Sequence, residues 1–232
     1  MTNTAPKLPQ VSQALRGFAA FADMTAALLF RPISETQIQG LADLDWAAIG
    51  EINDEMGLAA NDISRYLAKR SKGSRQELAI DYTQSLGGLA SYEGRYAVPC
   101  ASVYTSEDGL LYQETYHEVY TLFREFGVTR SEGFDYPDDH LSLLFSFLGI
   151  MATRGAEALE QGDGKTARHY LGVCPDVAQK YILSWYEDFA ELAQKLITTR
   201  FYRGVIHLAR GLAQYSEELF ADCLAELDAL ES

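Results

Sequence analysis

Two stretches decide how this chain folds: Val98-Pro-Cys-Ala-Ser-Val-Tyr104, and Tyr136-Pro-Asp-Asp-His-Leu-Ser-Leu-Leu-Phe-Ser-Phe-Leu-Gly-Ile-Met151. In the second, Pro137 disfavours a helical conformation at Tyr136 and itself suits a first helical position. Asp138 and Asp139 would place negative charge against the open N–H groups of a first turn, so a helix is predicted to begin at Pro137. Leu141, Leu144, Phe145, Leu148 and Met151 then recur at three- and four-residue spacing, the stripe of a helix packed on a core, with His140 at its mouth. In the first stretch Pro99 fixes the chain ahead of Ser102 and Tyr104. A polar run from Thr105 to Gly109 leads into a second predicted helix bearing Tyr116, Val119, Tyr120 and Phe123, which Gly127 stops.

Outward from these stretches the periodicity stays helical. Leu15 to Phe30 reads as a first helix ended by Pro32. Ser34 and Gln37 are spaced as a capping box for a second, running through Leu41 and Leu44 with Trp46 and Ile49 continuing its apolar face. Ile63 to Ala68 and Glu77 to Leu86 read as helices on either side of the basic segment Lys69 to Arg75, a solvated connection. Asp176 to Thr199 carries Val177, Tyr181, Trp185, Leu192 and Leu196 on one side, and Phe201 to Glu231 supplies one or two more helices. No segment alternates with period two between hairpin turns. The predicted fold is all-α, a single-domain helical bundle over residues 1–232.

Signals for catalysis are weak. Gly162-Asp-Gly164-Lys165-Thr166 has the end of a phosphate loop but Leu159 where that motif needs its first glycine, and its flanks read as helices instead of a preceding strand. His117, His140, His169 and His207 lack the four-residue spacing of paired helical ligands, and none neighbours a cysteine at zinc-site spacing. Asp139 and His140 are adjacent, so on a helix they point about a hundred degrees apart. Of Tyr82, Tyr92, Tyr96, Tyr104, Tyr112, Tyr116 and Tyr120, most are expected to pack the bundle with their hydroxyls reaching water or backbone.

Val98-Pro99, Ser102-Val103-Tyr104, the helix ended by Gly127, and Pro137-Asp-Asp139-His140-Leu141 together resemble the TorD/DmsD family of maturation chaperones for exported molybdoenzymes. Leu28-Leu29-Phe30-Arg31-Pro32, Asp81-Tyr82-Thr83, Trp185 and Phe201-Tyr202 extend the likeness over most of the chain, with departures at Cys100 and Tyr136. The resemblance implies a TorD-like helical fold and a non-catalytic chaperone without a cofactor. Its implied partner is the twin-arginine signal peptide of a molybdenum-containing reductase precursor, held until the cofactor is inserted. It implies a signal-peptide site at Tyr82, Leu86, Pro99, Ser102, Tyr104, Pro137, Asp139 and His140, with an apolar groove near Tyr82, Leu86 and Pro99 and the Asp139 carboxylate meeting an arginine. The competing readings are an all-helical adaptor for folded proteins and an enzyme acting on a nucleotide.

Composition narrows the partners. With 232 residues and a net charge of -14, the chain can bury a core but repels nucleic acid, while a basic peptide suits it. Cys100, Cys174 and Cys223 form no Cys-x-x-Cys pair, which fits a reducing cytoplasm. Met1 to Gln10 lacks the basic start and apolar stretch of a secretory leader, and no apolar segment is long enough for stable membrane insertion. Monomer and domain-swapped dimer are both compatible with such a bundle.

Overall fold

The computed structural model describes residues 8–130 and 135–231; the first seven residues of the segment read above as lacking a leader lie outside these. The elements in order are α1 (Leu8–Phe30), α2 (Glu35–Ala42), α3 (Trp46–Gly50), α4 (Asp54–Leu67), α5 (Ser74–Gln84), α6 (Ala101–Thr105), α7 (Glu114–Glu125), α8 (Leu141–Glu160), α9 (Gly164–Leu171), α10 (Cys174–Asp176), α11 (Ser184–Leu196) and α12 (Arg200–Glu231). Between α10 and α11 the helix widens into a π segment, Val177–Leu183. No strand occurs among the described residues, only isolated bridges between Tyr92 and Arg95 and between Cys100 and His140.

The centre of the bundle is α8. Leu141, Leu143, Leu144, Phe145, Phe147 and Leu148 are all buried, so the helix is covered on nearly every side, as a helix apolar all round must be. It packs along α1, while α12 packs along α4. Trp185, Tyr186 and Phe189 of α11 and Phe201, Tyr202 and Phe220 of α12 fill the space between the layers. Each such side chain contributes roughly 1.5–3 kcal/mol by leaving water.

The α4–α12 approach depends on a missing side chain. A Cβ on Gly204 would lie 2.6 Å from Ile63 Cγ1 and 3.1 Å from the Ala59 carbonyl oxygen. Gly204→Ala is therefore expected to cost about 1–3 kcal/mol through helix displacement. Gly17→Ala, with nothing within 4 Å of its would-be Cβ, is expected to leave stability level or raise it by about 0.4–1 kcal/mol. Urea unfolding of the two variants checks this, and equal effects would show that α4 and α12 are not locked by that glycine.

Several expectations hold. Ser34 and Gln37 form the reciprocal capping box that opens α2. Gly127, at φ +62°, ends α7, with Val128 N–H donating to the Phe123 carbonyl at 2.8 Å. Gly162 lies in the turn between α8 and α9, where Asp163 caps the Thr166 N–H. Others are corrected. The second helix stops at Ala42, because Asp45 accepts from the Ala47 and Ala48 amides and starts α3 afresh. The stretch led by Pro99, expected as a turn, is helical over Ala101–Thr105.

Candidate functional site

The two motif stretches meet face to face. Leu141 N–H donates to the Pro99 carbonyl at 2.8 Å and Ala101 N–H to the Asp139 carbonyl at 3.1 Å. The Asp139 carboxylate closes the clamp, its Oδ2 accepting from the Ser102 N–H at 2.7 Å. This corrects the predicted helix start. Pro137 to His140 forms a turn, with His140 N–H on the Pro137 carbonyl at 3.0 Å, and α8 begins four residues later at Leu141. Asp139 faces across to α6, so the capping falls to His140, whose Nδ1 accepts from the Ser142 N–H at 3.2 Å and lies 2.7 Å from the Ser142 hydroxyl.

The clamp is dry. Asp139 is 0 % exposed and His140 1 %. Burial raises the Asp139 carboxyl above its usual range, with the Ser102 contacts pulling it down, and burial lowers His140 to about 3. The imidazole is therefore neutral at neutral pH and its Nδ1 is the acceptor.

Most of the residues expected to touch peptide lie behind the surface. Tyr82 and Leu86 are each 3 % exposed, and the Tyr82 hydroxyl donates to the Leu29 carbonyl at 3.0 Å while its ring packs on Tyr202. Pro99, Ser102 and Pro137 are buried as well. Tyr104 alone of the eight is half-buried, stacked on Trp185 with ring centroids 5.3 Å apart. Four of the other tyrosines around the first motif reverse the packing expectation, because Tyr92, Tyr96, Tyr112 and Tyr120 are all exposed.

Directly in front of the clamp, α6 forms one wall of a groove of about 660 Å³. Val103 and Tyr104 of α6, Leu192 of α11, Val98 and Tyr96, and Leu110 and Leu111 of the α6–α7 connection line it. Arg95 and Asp108 are its charged lining residues. Leu110, Leu111 and Tyr96 present apolar surface to solvent, at 57 %, 37 % and 49 % exposure. The wall continues into Tyr112, held at φ +61°, a conformation bulky side chains rarely adopt. Its ring meets Tyr116 edge-on at 5.0 Å. The sequence signal for this groove was an apolar Leu110-Leu111-Tyr112 triplet after Gly109, too short for any helical period to assign it to the core.

No group of side chains among the described residues could hold a metal ion. Cys100, Cys174 and Cys223 are buried, free thiols, and burial pushes each thiol's pKa up, away from nucleophilic use. Among the described residues no helix is long and apolar enough to cross a membrane.

A buried clamp beside a largely apolar groove, on an all-helical fold without a metal-binding cluster among the described residues, is the class of site the comparisons address. A profile of the family described as nitrate reductase delta subunit matches residues 50–191, and the chain belongs to that family, in its TorD/DmsD type. It is 29 % identical over 189 residues to a protein named Chaperone protein TorD of Vibrio parahaemolyticus, covering 79 % of this chain and 85 % of that one. A protein of the same name from Vibrio cholerae (El Tor Inaba N16961) is 24 % identical over 87 % of this chain and 89 % of its own length. The protein is accordingly a molybdoenzyme maturation chaperone and not an enzyme.

Proposed function

We propose that the protein binds the twin-arginine signal peptide of an exported molybdenum-containing reductase in the cytoplasm and holds the precursor until its cofactor is inserted. The observation that carries this reading is the groove beside Tyr104. A signal peptide is a basic segment followed by an apolar one, and Leu110, Leu111 and Tyr96 offer exposed apolar surface on a chain of net charge -14. Ordering such a peptide costs about 2–5 kcal/mol. Burying its apolar stretch returns roughly 25 cal/mol for each Å² removed from water.

On this reading the eight motif residues divide by task. Tyr104 meets the peptide from the groove wall. Asp139, Ser102, Pro99, Pro137 and His140 fix α6 against α8 and so set where that wall stands. Tyr82 holds α5 against α1 and α12 through Leu29 and Tyr202, and Leu86 is buried just past the end of that helix.

Leu110→Asp tests the groove without disturbing the core, since the side chain is 57 % exposed. Calorimetry with a synthetic leader peptide is expected to show affinity lower by roughly tenfold or more, the loss of about 1.4 kcal/mol of apolar contact. Unchanged leader affinity would remove the groove from the site. Capture of precursors and leaderless enzymes alike would favour the adaptor.

A further inference from the structure

We infer that Asp138, beside the buried clamp, is an arginine-binding subsite that the protein's own Arg130 occupies in the free state, and that an arginine of the bound leader displaces it. The inference rests on the signal-peptide reading above and supplies that site with its charged contact.

Asp138 is the motif carboxylate still able to take a ligand. Its neighbour Asp139 also leaves one oxygen, Oδ1, without a hydrogen-bond partner among the described residues, but it is 0 % exposed and its Oδ2 is committed to the Ser102 N–H, whereas Asp138 is covered by a solvent-facing side chain. The Asp138 side chain, 4 % exposed, lies under the Arg130 guanidinium, with Nε 3.1 Å from Oδ1. Arg130 Nη1 donates instead to the Tyr136 carbonyl at 2.7 Å. The pairing is one-sided, because Asp138 Oδ2 is buried without a hydrogen-bond partner among the described residues. A guanidinium and a carboxylate pair best through two parallel N–H···O bonds, and a buried oxygen left without a donor is costly. An incoming arginine that approaches both oxygens satisfies the atom that Arg130 leaves bare. A lysine, a single point charge, gains less.

The position suits a leader. Asp138 raises the Tyr116 hydroxyl pKa beyond the effect of burial and Arg130 lowers it, so the hydroxyl lies within electrostatic reach of the ion pair. Tyr116 also meets Tyr112, the residue that follows the Leu110–Leu111 wall of the groove. A peptide with its apolar stretch in the groove thus brings the preceding basic residues past Tyr112 and Tyr116 towards Asp138. Arg130, its side chain 34 % exposed, has solvent to swing into, and the incoming arginine takes over the pairing of the buried Asp138 carboxylate, which would be costly to leave bare.

The experiment follows the Arg130 Nε–H resonance in the full-length protein by nitrogen-15 NMR. The probes are acetyl-Arg-Arg-amide, which has no apolar stretch, and acetyl-Lys-Lys-amide. The diarginine probe is expected to shift the Arg130 signal towards that of a solvent-exposed guanidinium, and the dilysine probe to leave it in place. Arg130→Gln should bind the diarginine probe roughly fivefold more tightly, because no competing guanidinium has to be displaced from Asp138. Asp138→Asn, nearly the same shape, should lose the preference for arginine over lysine. An Arg130 signal unmoved by diarginine, or diarginine affinity unaltered in both variants, overturns the inference. That failure is distinct from failure of the groove, which a complete leader peptide and Leu110→Asp report on separately.

Discussion

Asp81→Ala is expected to destabilise the fold by on the order of 3–5 kcal/mol, a large share of a small domain's stability. Asp81 lies on α5 at 1 % exposure. Its Oδ1 accepts from the Thr198 N–H at 2.9 Å and the Thr198 hydroxyl at 3.0 Å. Its Oδ2 accepts from the Thr199 N–H at 2.9 Å and the Thr199 hydroxyl at 2.5 Å. Thr199 in turn accepts from the Tyr202 N–H at 3.2 Å, so one carboxylate anchors the residues that open the 32-residue helix α12. Truncation removes the acceptor of two backbone amides; orphaning that of buried Thr199 costs about 1–3 kcal/mol, and that of exposed Thr198 less. A cap is loosened at the same time, typically worth about 1 kcal/mol. Urea unfolding should show a lower midpoint at unchanged slope. Asp81→Asn keeps one acceptor oxygen and should fall between parent and alanine. A loss below about 1 kcal/mol for the alanine variant would mean that the Thr198–Thr199 amides find water instead.

The second large effect is a pH dependence carried by His140. Burial lowers its pKa to about 3 from an ordinary value of 6.5. The folded state therefore refuses a proton that the unfolded chain accepts below 6.5. The stability is fully present above that pH and is lost as pH falls towards 3. Between pH 6.5 and 5 the cost is about 2 kcal/mol, from 1.5 units at 1.36 kcal/mol each, and it depends only on the unfolded value while the folded pKa stays well below 5. Asp138 and Asp139, raised by burial, act with the opposite sign, and both remain in a His140 variant. His140→Asn keeps an acceptor for the Ser142 N–H at the α8 cap. It is expected to narrow the stability gap between pH 7.5 and pH 5 by about 2 kcal/mol relative to the parent. Parallel curves for parent and variant would show that the imidazole reaches water.

The difference between what could be read along the chain and what could not has a physical cause. Helical periodicity, the Ser34–Gln37 box and the Gly127 stop are interactions over three to six residues, so their residue types and spacings disclose them. Asp139 shows the contrary case. Its position before an apolar run reads as a helix cap, yet its acceptor is claimed by Ser102, 37 residues away. A contact made by chain crossing leaves no local period. The exposed tyrosines were misassigned for a related reason, since a ring on a groove wall and a ring in a core have the same composition and differ only in what stands opposite. The groove itself is assembled from α6, α11 and the connection ending at Leu111, none of which carries a pattern that names the others. The π segment at Val177–Leu183 is equally silent in sequence, because it keeps the apolar stripe and changes only how the backbone bonds.

The sequence by itself determined an all-helical chain with few polar interruptions, an acidic surface, two proline-bearing motifs and the family to which they belong. It could do so because propensity, capping and apolar spacing act within a turn or two. Only the tertiary structure decided that Asp81, Asp139 and His140 are dry supports, that Leu110 and Leu111 face solvent beside Tyr104, and that Arg130 sits on Asp138. Those outcomes depend on which helices meet, and burial and charge pairing are properties of that meeting.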